Sequence, residues 1–116
     1  MFHSFSYNHA AEIPAATLPS NKHDAKVFAI IPAHNEEDSI ARTIDSLVAQ
    51  ERRLDKIIVI SNNCSPSDKT HEIASRYDQV TALEVTFEQR SHGKSRALNM
   101  AWRGYAQDAD IVVCID

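Results

Sequence analysis

Four short polar segments carry the residue types that bind anionic or metal-bearing ligands, and each is set against an apolar run. The first is Pro32-Ala33-His34-Asn35-Glu36 and the second Asn62 to Asp68. In the third, His92-Gly93-Lys94-Ser95, a lysine opens a helical stretch, where its point charge adds to free backbone N–H groups as a phosphate site. The fourth is the single carboxylate Asp116 after Asp110 to Ile115. Two common phosphate-binding solutions are tested first. Only Gly93 and Gly104 exist, so a G-x-G-x-x-G dinucleotide fingerprint is excluded. Gly93-Lys94-Ser95 has the form of a P-loop end, but the position of the motif's first glycine is Glu88, whose side chain blocks the turn and repels phosphate. A P-loop-like nucleotidase is therefore the weakest of the readings kept. The plain alternative for Lys94 is a surface lysine, and for the first segment a capped strand-to-helix junction.

The elements that must position these segments follow from periodicity. Val27 to Ile31 is a continuous apolar run suited to a strand covered on both faces, and Pro32, without an N–H, is expected to stop it. Asn35 is expected to cap a helix from about Glu36 to Gln50, with Glu36, Glu37 and Asp38 complementing the dipole. Ile40, Ile44, Leu47 and Val48 form its apolar stripe. Lys56 to Ile60 reads as a second strand. A second helix, capped by Ser67 or Asp68, buries Ile73, Ala74 and Tyr77. Val80 to Val85 reads as a third strand. A helix from Lys94 to about Gln107 presents Ala97, Leu98, Ala101, Trp102 and Tyr105 on one face, and Asp110 to Ile115 is a fourth strand. Four strands alternating with three helices give an α/β, doubly wound parallel sheet, a Rossmann-like half. Ligands bind such sheets outside the carboxyl ends of the strands, where strand order reverses. With the first strand central, the second and third on one side and the fourth on the other, Ala33 to Glu36, Asn62 to Asp68 and Asp116 line one crevice.

Composition narrows the classes. The chain has 116 residues, 43% hydrophobic, with a formal net charge of -4. That gives no basic field for nucleic acid, and no run reaches the roughly 18 apolar residues of a membrane segment. Cys64 and Cys114 form neither a C-x-x-C pair nor a disulfide framework, which suits a cytoplasmic protein. Residues 1–26 read as a flexible leader without the regions of a secretory signal. The spacing of His3, His9 and His23 matches no metal motif, so they read as part of a solvated tail.

The four segments in order resemble the successive motifs of inverting family 2 glycosyltransferases: Ile31-Pro32-Ala33-His34-Asn35-Glu36-Glu37; Asn62-Asn63-Cys64-Ser65 with Asp68 and Thr70; His92-Gly93-Lys94-Ser95-Arg96-Ala97-Leu98-Asn99; and Asp110-Ile-Val-Val-Cys-Ile-Asp116. The resemblance covers 27–116. It implies the GT-A fold, a nucleotide diphosphate sugar donor, usually a UDP-sugar, an acceptor hydroxyl of unknown origin, and a divalent magnesium or manganese. By the same resemblance Pro32, Ala33, His34, Asn35 and Glu36 hold the nucleoside, with His34 placed to pack on uracil. Asn62 stands where the family usually has an aspartate that accepts the uracil N3–H. An amide oxygen accepts the same bond without charge assistance. Lys94 lies near the donor diphosphate, with Arg96 a weaker candidate, and Asn99 orders its helix. Asp116 matches the first aspartate of the D-x-D motif, a partial or indirect metal contact.

The later D-x-D aspartate, the acceptor half and the catalytic base fall beyond residue 116, so no catalytic residue is expected within the chain. It reads as the donor-binding part of an incomplete GT-A domain. The alternative is a catalytically incomplete nucleotide-binding or interaction module. The fourth strand is expected to leave an unpaired edge at which a partner could dock, at a cytoplasmic membrane face if the whole protein is longer.

Overall fold

The computed structural model describes residues 25–50 and 54–115, and the backbone of 3–7. The elements in chain order are β1 (His3–Tyr7), β2 (Val27–Ala33), α1 (Ile40–Val48), β3 (Lys56–Asn62), α2 (Thr70–Ser75), β4 (Val80–Val85), α3 (Gly93–Tyr105) and β5 (Ile111–Ile115). The strands form one sheet, ordered β1-β5-β2-β3-β4, and every pairing is parallel. The central placement of β2 between β5 and β3 is as the sequence predicts.

Strand periodicity decides which helix covers which face. Val27, Ala29, Ile31 and Ala33 join Ile57, Val59, Val113, the α1 residues Ile40, Ile44 and Leu47, and Ala74 of α2 in one core. Phe28, Ile30, Ile58, Ile60 and Val112 face the other way, against Ala97 and Ala101 of α3. All seven β2 positions are buried because both faces are covered. From β2 to β4 the chain steps one way with α1 and α2 on one face. It then returns to the other flank of β2 through α3 on the opposite face, as right-handed crossovers require. The reversal of strand order therefore falls between β2 and β5.

At the amino end, two aspartates clamp β2. Val27 N–H donates to Asp55 Oδ2 at 2.8 Å while Asp55 N–H donates to Val27 O at 2.9 Å. Lys26 N–H donates to Asp110 Oδ2 at 2.8 Å, and Lys26 O accepts from both Asp110 and Ile111 N–H. These contacts seat β3 and β5 beside β2.

Several expectations are corrected. β2 continues through Pro32 to Ala33, with Pro32 opposite Ile60. On the β5 side the pairing ends at Ile30 opposite Cys114, so Pro32 lies past that ladder and its missing N–H costs nothing there. Helix α1 begins at Ile40, not Glu36, and Asn35 is not its cap: the residue has φ 51°, and the intervening residues form a turn in which Ser39 and Ile40 N–H donate to Glu36 O. Val48 and Tyr105, counted on apolar faces, are both exposed at 43%, because each falls at a helix end beyond the covering sheet. The outer edge of β5 is not unpaired: β1 runs along it from His3 opposite Ile111 to Tyr7 opposite Ile115, so residues 1–26 include a strand. Of the three leader histidines, His9 and His23 lie outside the described residues, as does the side chain of His3. No helix among the described residues is long and apolar enough to cross a membrane.

Candidate functional site

The loops after β2 and β3 and the start of α3 meet at the carboxyl edge of the sheet. Three residues there adopt left-handed backbone: Asn35 (φ 51°), Asn63 (φ 49°) and His92 (φ 59°), and no other described non-glycine residue has positive φ. Asparagine tolerates this region best, which is why two asparagines mark the ends of neighbouring strands. Strained backbone of this kind persists only where surrounding contacts hold it.

Those contacts are specific. Asn35 N–H donates to Cys64 Sγ at 3.4 Å, and Asn35 Oδ1 accepts from Ser65 N–H at 2.8 Å. His34 Nδ1 lies 2.9 Å from Asn62 O, and Asn35 Nδ2 lies 3.3 Å from His34 Nε2. Because a carbonyl only accepts, Nδ1 donates to Asn62 O, and the two contacts together fix the orientation of the ring. Asn62, 2% exposed, donates from Nδ2 to Ala33 O at 2.9 Å. Asn63 accepts from Phe87 N–H at 2.6 Å and donates its own N–H to Val85 O at 3.0 Å, tying β3 to the segment after β4.

Glu36 and Lys94 face each other across this edge, with Nζ 3.7 Å from Oε1 and both side chains a third or more exposed. A pair so hydrated contributes about 0–1 kcal/mol, leaving the ammonium free to exchange partners. Arg96 is engaged elsewhere: its guanidinium donates to Gln89 O at 2.7 Å and stacks on Phe87 at 4.4 Å from the ring centroid. Asn99 is exposed on α3. Helix α3 comes close to β3 because position 93 is glycine. A Cβ there would lie 2.8 Å from Asn62 Oδ1.

Thr70 and Asp68 form the floor below the first loop. Thr70, fully buried, accepts Glu36 N–H at Oγ1 at 2.8 Å, and its own N–H donates to Asp68 Oδ2 at 3.0 Å. Burial acts to raise the Asp68 pKa. It is outweighed by hydrogen bonds from the Thr70 hydroxyl and N–H, the Cys64 thiol and Glu37 N–H, so the carboxyl sits below its usual range. Cys64 is pushed up, first by burial and then by Asp68 and Glu84, with Asn35 N–H opposing, so it stays a neutral thiol. The sequence motifs assign Thr70 no role; its signal in the chain is a β-branched hydroxyl residue opening a helix just after a polar loop.

The structure thus brings Pro32, Ala33, His34, Asn35, Glu36, Asn62 and Lys94 to one edge. Asp116 follows β5 and lies outside the described residues. Among those residues no group of three or more His, Cys, Asp or Glu could hold a metal ion. The described side chains therefore do not make a metal centre, and no step is assigned to one. A groove of about 840 Å³ between Leu47, Leu54, Ile57 and Asp78 opens at the opposite, amino end and shares no residue with this edge.

The family model described as "Glycosyl transferase family 2" matches residues 28–116. The chain is 33% identical over 94 residues to the "Probable glycosyltransferase YdaM" of Bacillus subtilis (strain 168), covering 78% of this chain and 22% of that protein. It is 28% identical over 99 residues to a "Hyaluronan synthase" of Streptococcus pyogenes serotype M3 (strain SSI-1), covering 83% of this chain and 24% of that one. The chain spans about a quarter of the length of the curated relatives it matches. No solved structure matches it significantly. With the first three motif segments meeting at the carboxyl edge of a doubly wound sheet and the family model matched from β2 onward, the chain belongs to glycosyl transferase family 2.

Proposed function

We propose that residues 27–116 are the donor-binding part of an inverting glycosyltransferase, which holds a UDP-sugar for transfer to an acceptor hydroxyl. The observation that carries this reading is the Lys94 ammonium facing the β2–α1 loop at the carboxyl edge of the sheet, in a family of sugar transferases. In this reading the pinned His34 ring packs on uracil, and Pro32 to Glu36 wall the nucleoside. Asn62 fixes the height of that wall through Ala33 O. Lys94 leaves Glu36 for the diphosphate, a more highly charged partner.

In an inverting transfer the acceptor oxygen forms a bond to the anomeric carbon as the bond from that carbon to the diphosphate oxygen breaks. UDP departs with the electron pair, and a general base takes the hydroxyl proton. This chain's described contribution is to orient the donor and to place positive charge where negative charge develops on the leaving group. The base and the acceptor site are assigned to no residue here.

Calorimetry with UDP, uridine and ATP tests the reading. UDP should bind, and Lys94→Ala should weaken UDP about tenfold or more while leaving uridine unchanged, as loss of a charge-assisted contact to phosphate requires. Failure of the parent chain to bind UDP refutes the reading. Preference for ATP would favour the P-loop-like alternative instead. Binding of UDP without sugar transfer would give the chain recognition alone.

A further inference from the structure

Of the groups at the carboxyl edge, Thr70 alone is fully buried and joined to two loops. It faces no solvent, so it cannot meet a ligand directly. Its Oγ1 accepts the N–H of Glu36 at 2.8 Å, and its N–H is held by Asp68 at 3.0 Å. Residues 34 to 36 have no other hydrogen bond to α2 among those described. Their other links run to the β3 loop through Asn62 O, Cys64 Sγ and Ser65 N–H, to Lys94 through the hydrated Glu36 ion pair, and to Ser39 and Ile40 N–H within the loop's own turn. Without the hydroxyl, Glu36 N–H would lose its acceptor at the point where the loop turns toward α1, and the loop would pivot on the Asn35 contacts.

We propose that Thr70 is a positioning residue: its hydroxyl sets the height of the β2–α1 loop and thereby the fit of the nucleoside diphosphate between that loop and Lys94. This rests on the donor-site reading above.

The test compares Thr70→Val, which keeps shape and removes the acceptor, with Thr70→Ser, which keeps it. Two quantities are measured on the whole chain: amide hydrogen exchange without ligand, and UDP affinity by calorimetry. Thr70→Val should speed exchange at residues 34–36 about tenfold while leaving Val59, at the centre of β3, unchanged, and should weaken UDP binding about tenfold, the ratio one ordinary hydrogen bond sets. Thr70→Ser should restore both to within about twofold of the parent. A general packing defect would instead speed exchange throughout and would not be rescued by serine. UDP affinity in Thr70→Val equal to that of the parent overturns the proposal and leaves the donor-site reading standing. Absence of UDP binding by the parent overturns the donor-site reading, and unchanged loop exchange would then overturn the positioning role as well. Should Thr70→Val not fold, Asp68→Asn carries the same two comparisons, since it weakens the hold on Thr70 from below.

Discussion

The two glycines of α3 should respond to alanine with opposite signs. At Gly93 a new Cβ would meet Asn62 Oδ1 at 2.8 Å and Cγ at 3.8 Å, closer than real Cβ atoms come. Asn62 has little freedom to retreat, because it is buried and bonded to Ala33 O. Giving up that bond costs about 1–3 kcal/mol for the buried groups left short of a partner. Lifting the first turn of α3 off β3 costs a similar amount, about 1–3 kcal/mol, as overpacking does. The helix-propensity gain from glycine to alanine, at most about 1 kcal/mol and less in a first turn, does not offset this. The net expectation for Gly93→Ala is a loss of about 1–2 kcal/mol. Gly104 has no atom within 4 Å of an added Cβ, so Gly104→Ala should gain up to about 1 kcal/mol. Urea titrations should show midpoints moving apart around the parent at unchanged slope. A Gly93→Ala protein as stable as the parent would refute the claim that Asn62 is held against α3.

Other expectations concern packing and titration. Leu47→Ala and Ile44→Ala remove fully buried side chains between α1 and the sheet and should each cost about 2–5 kcal/mol in the same titration. Tyr77 Oη donates to Asp45 Oδ1 at 2.9 Å and lies 3.3 Å from Ala41 O, so Tyr77→Phe should cost about 1 kcal/mol by thermal melting. Burial, with the Asp45 bond and charge, raises the Tyr77 pKa above 10.0, so its contribution should persist below pH 10 and fade as pH rises further. The Asp68 pKa is lowered from 3.8 in the folded state, so its contribution is complete above that value and lost as pH falls through the lower folded one. Asp68→Asn should therefore flatten the acid limb of a stability–pH curve below about pH 4; an unchanged limb would show that the carboxylate's hydrogen bonds carry no stability.

The chain's periodicities made the α/β class and the positions of the four later strands along the chain legible, because buried strands and amphipathic helices each leave a repeat that local sequence must obey; the order of those strands in the sheet leaves no such repeat. Val27 to Ile31 and Ile40, Ile44 and Leu47 are of this kind. Helix starts were less legible. Asn35 followed by three acids has the composition of a cap, yet tertiary bonds to Cys64 and Ser65 and the acceptor offered by Thr70 outweigh that local preference and postpone the helix to Ile40. The pairing of β1 with β5 was hidden for a related reason: an edge strand at one end of the chain is specified by a partner some hundred positions away.

For the site, the motifs and their order were enough to single out His34, Asn62 and Lys94, which the fold brings to one carboxyl edge. Only the folded structure could assign the partner that each one holds. The imidazole is pinned through both nitrogens, the Asn62 amide is spent on Ala33 O, Lys94 rests on Glu36, and Thr70 supports the loop from beneath. The physical reason is that sequence spacing sets which atoms can lie at the carboxyl edge, whereas hydrogen-bond direction and burial depend on distances between segments that the chain brings together only by folding.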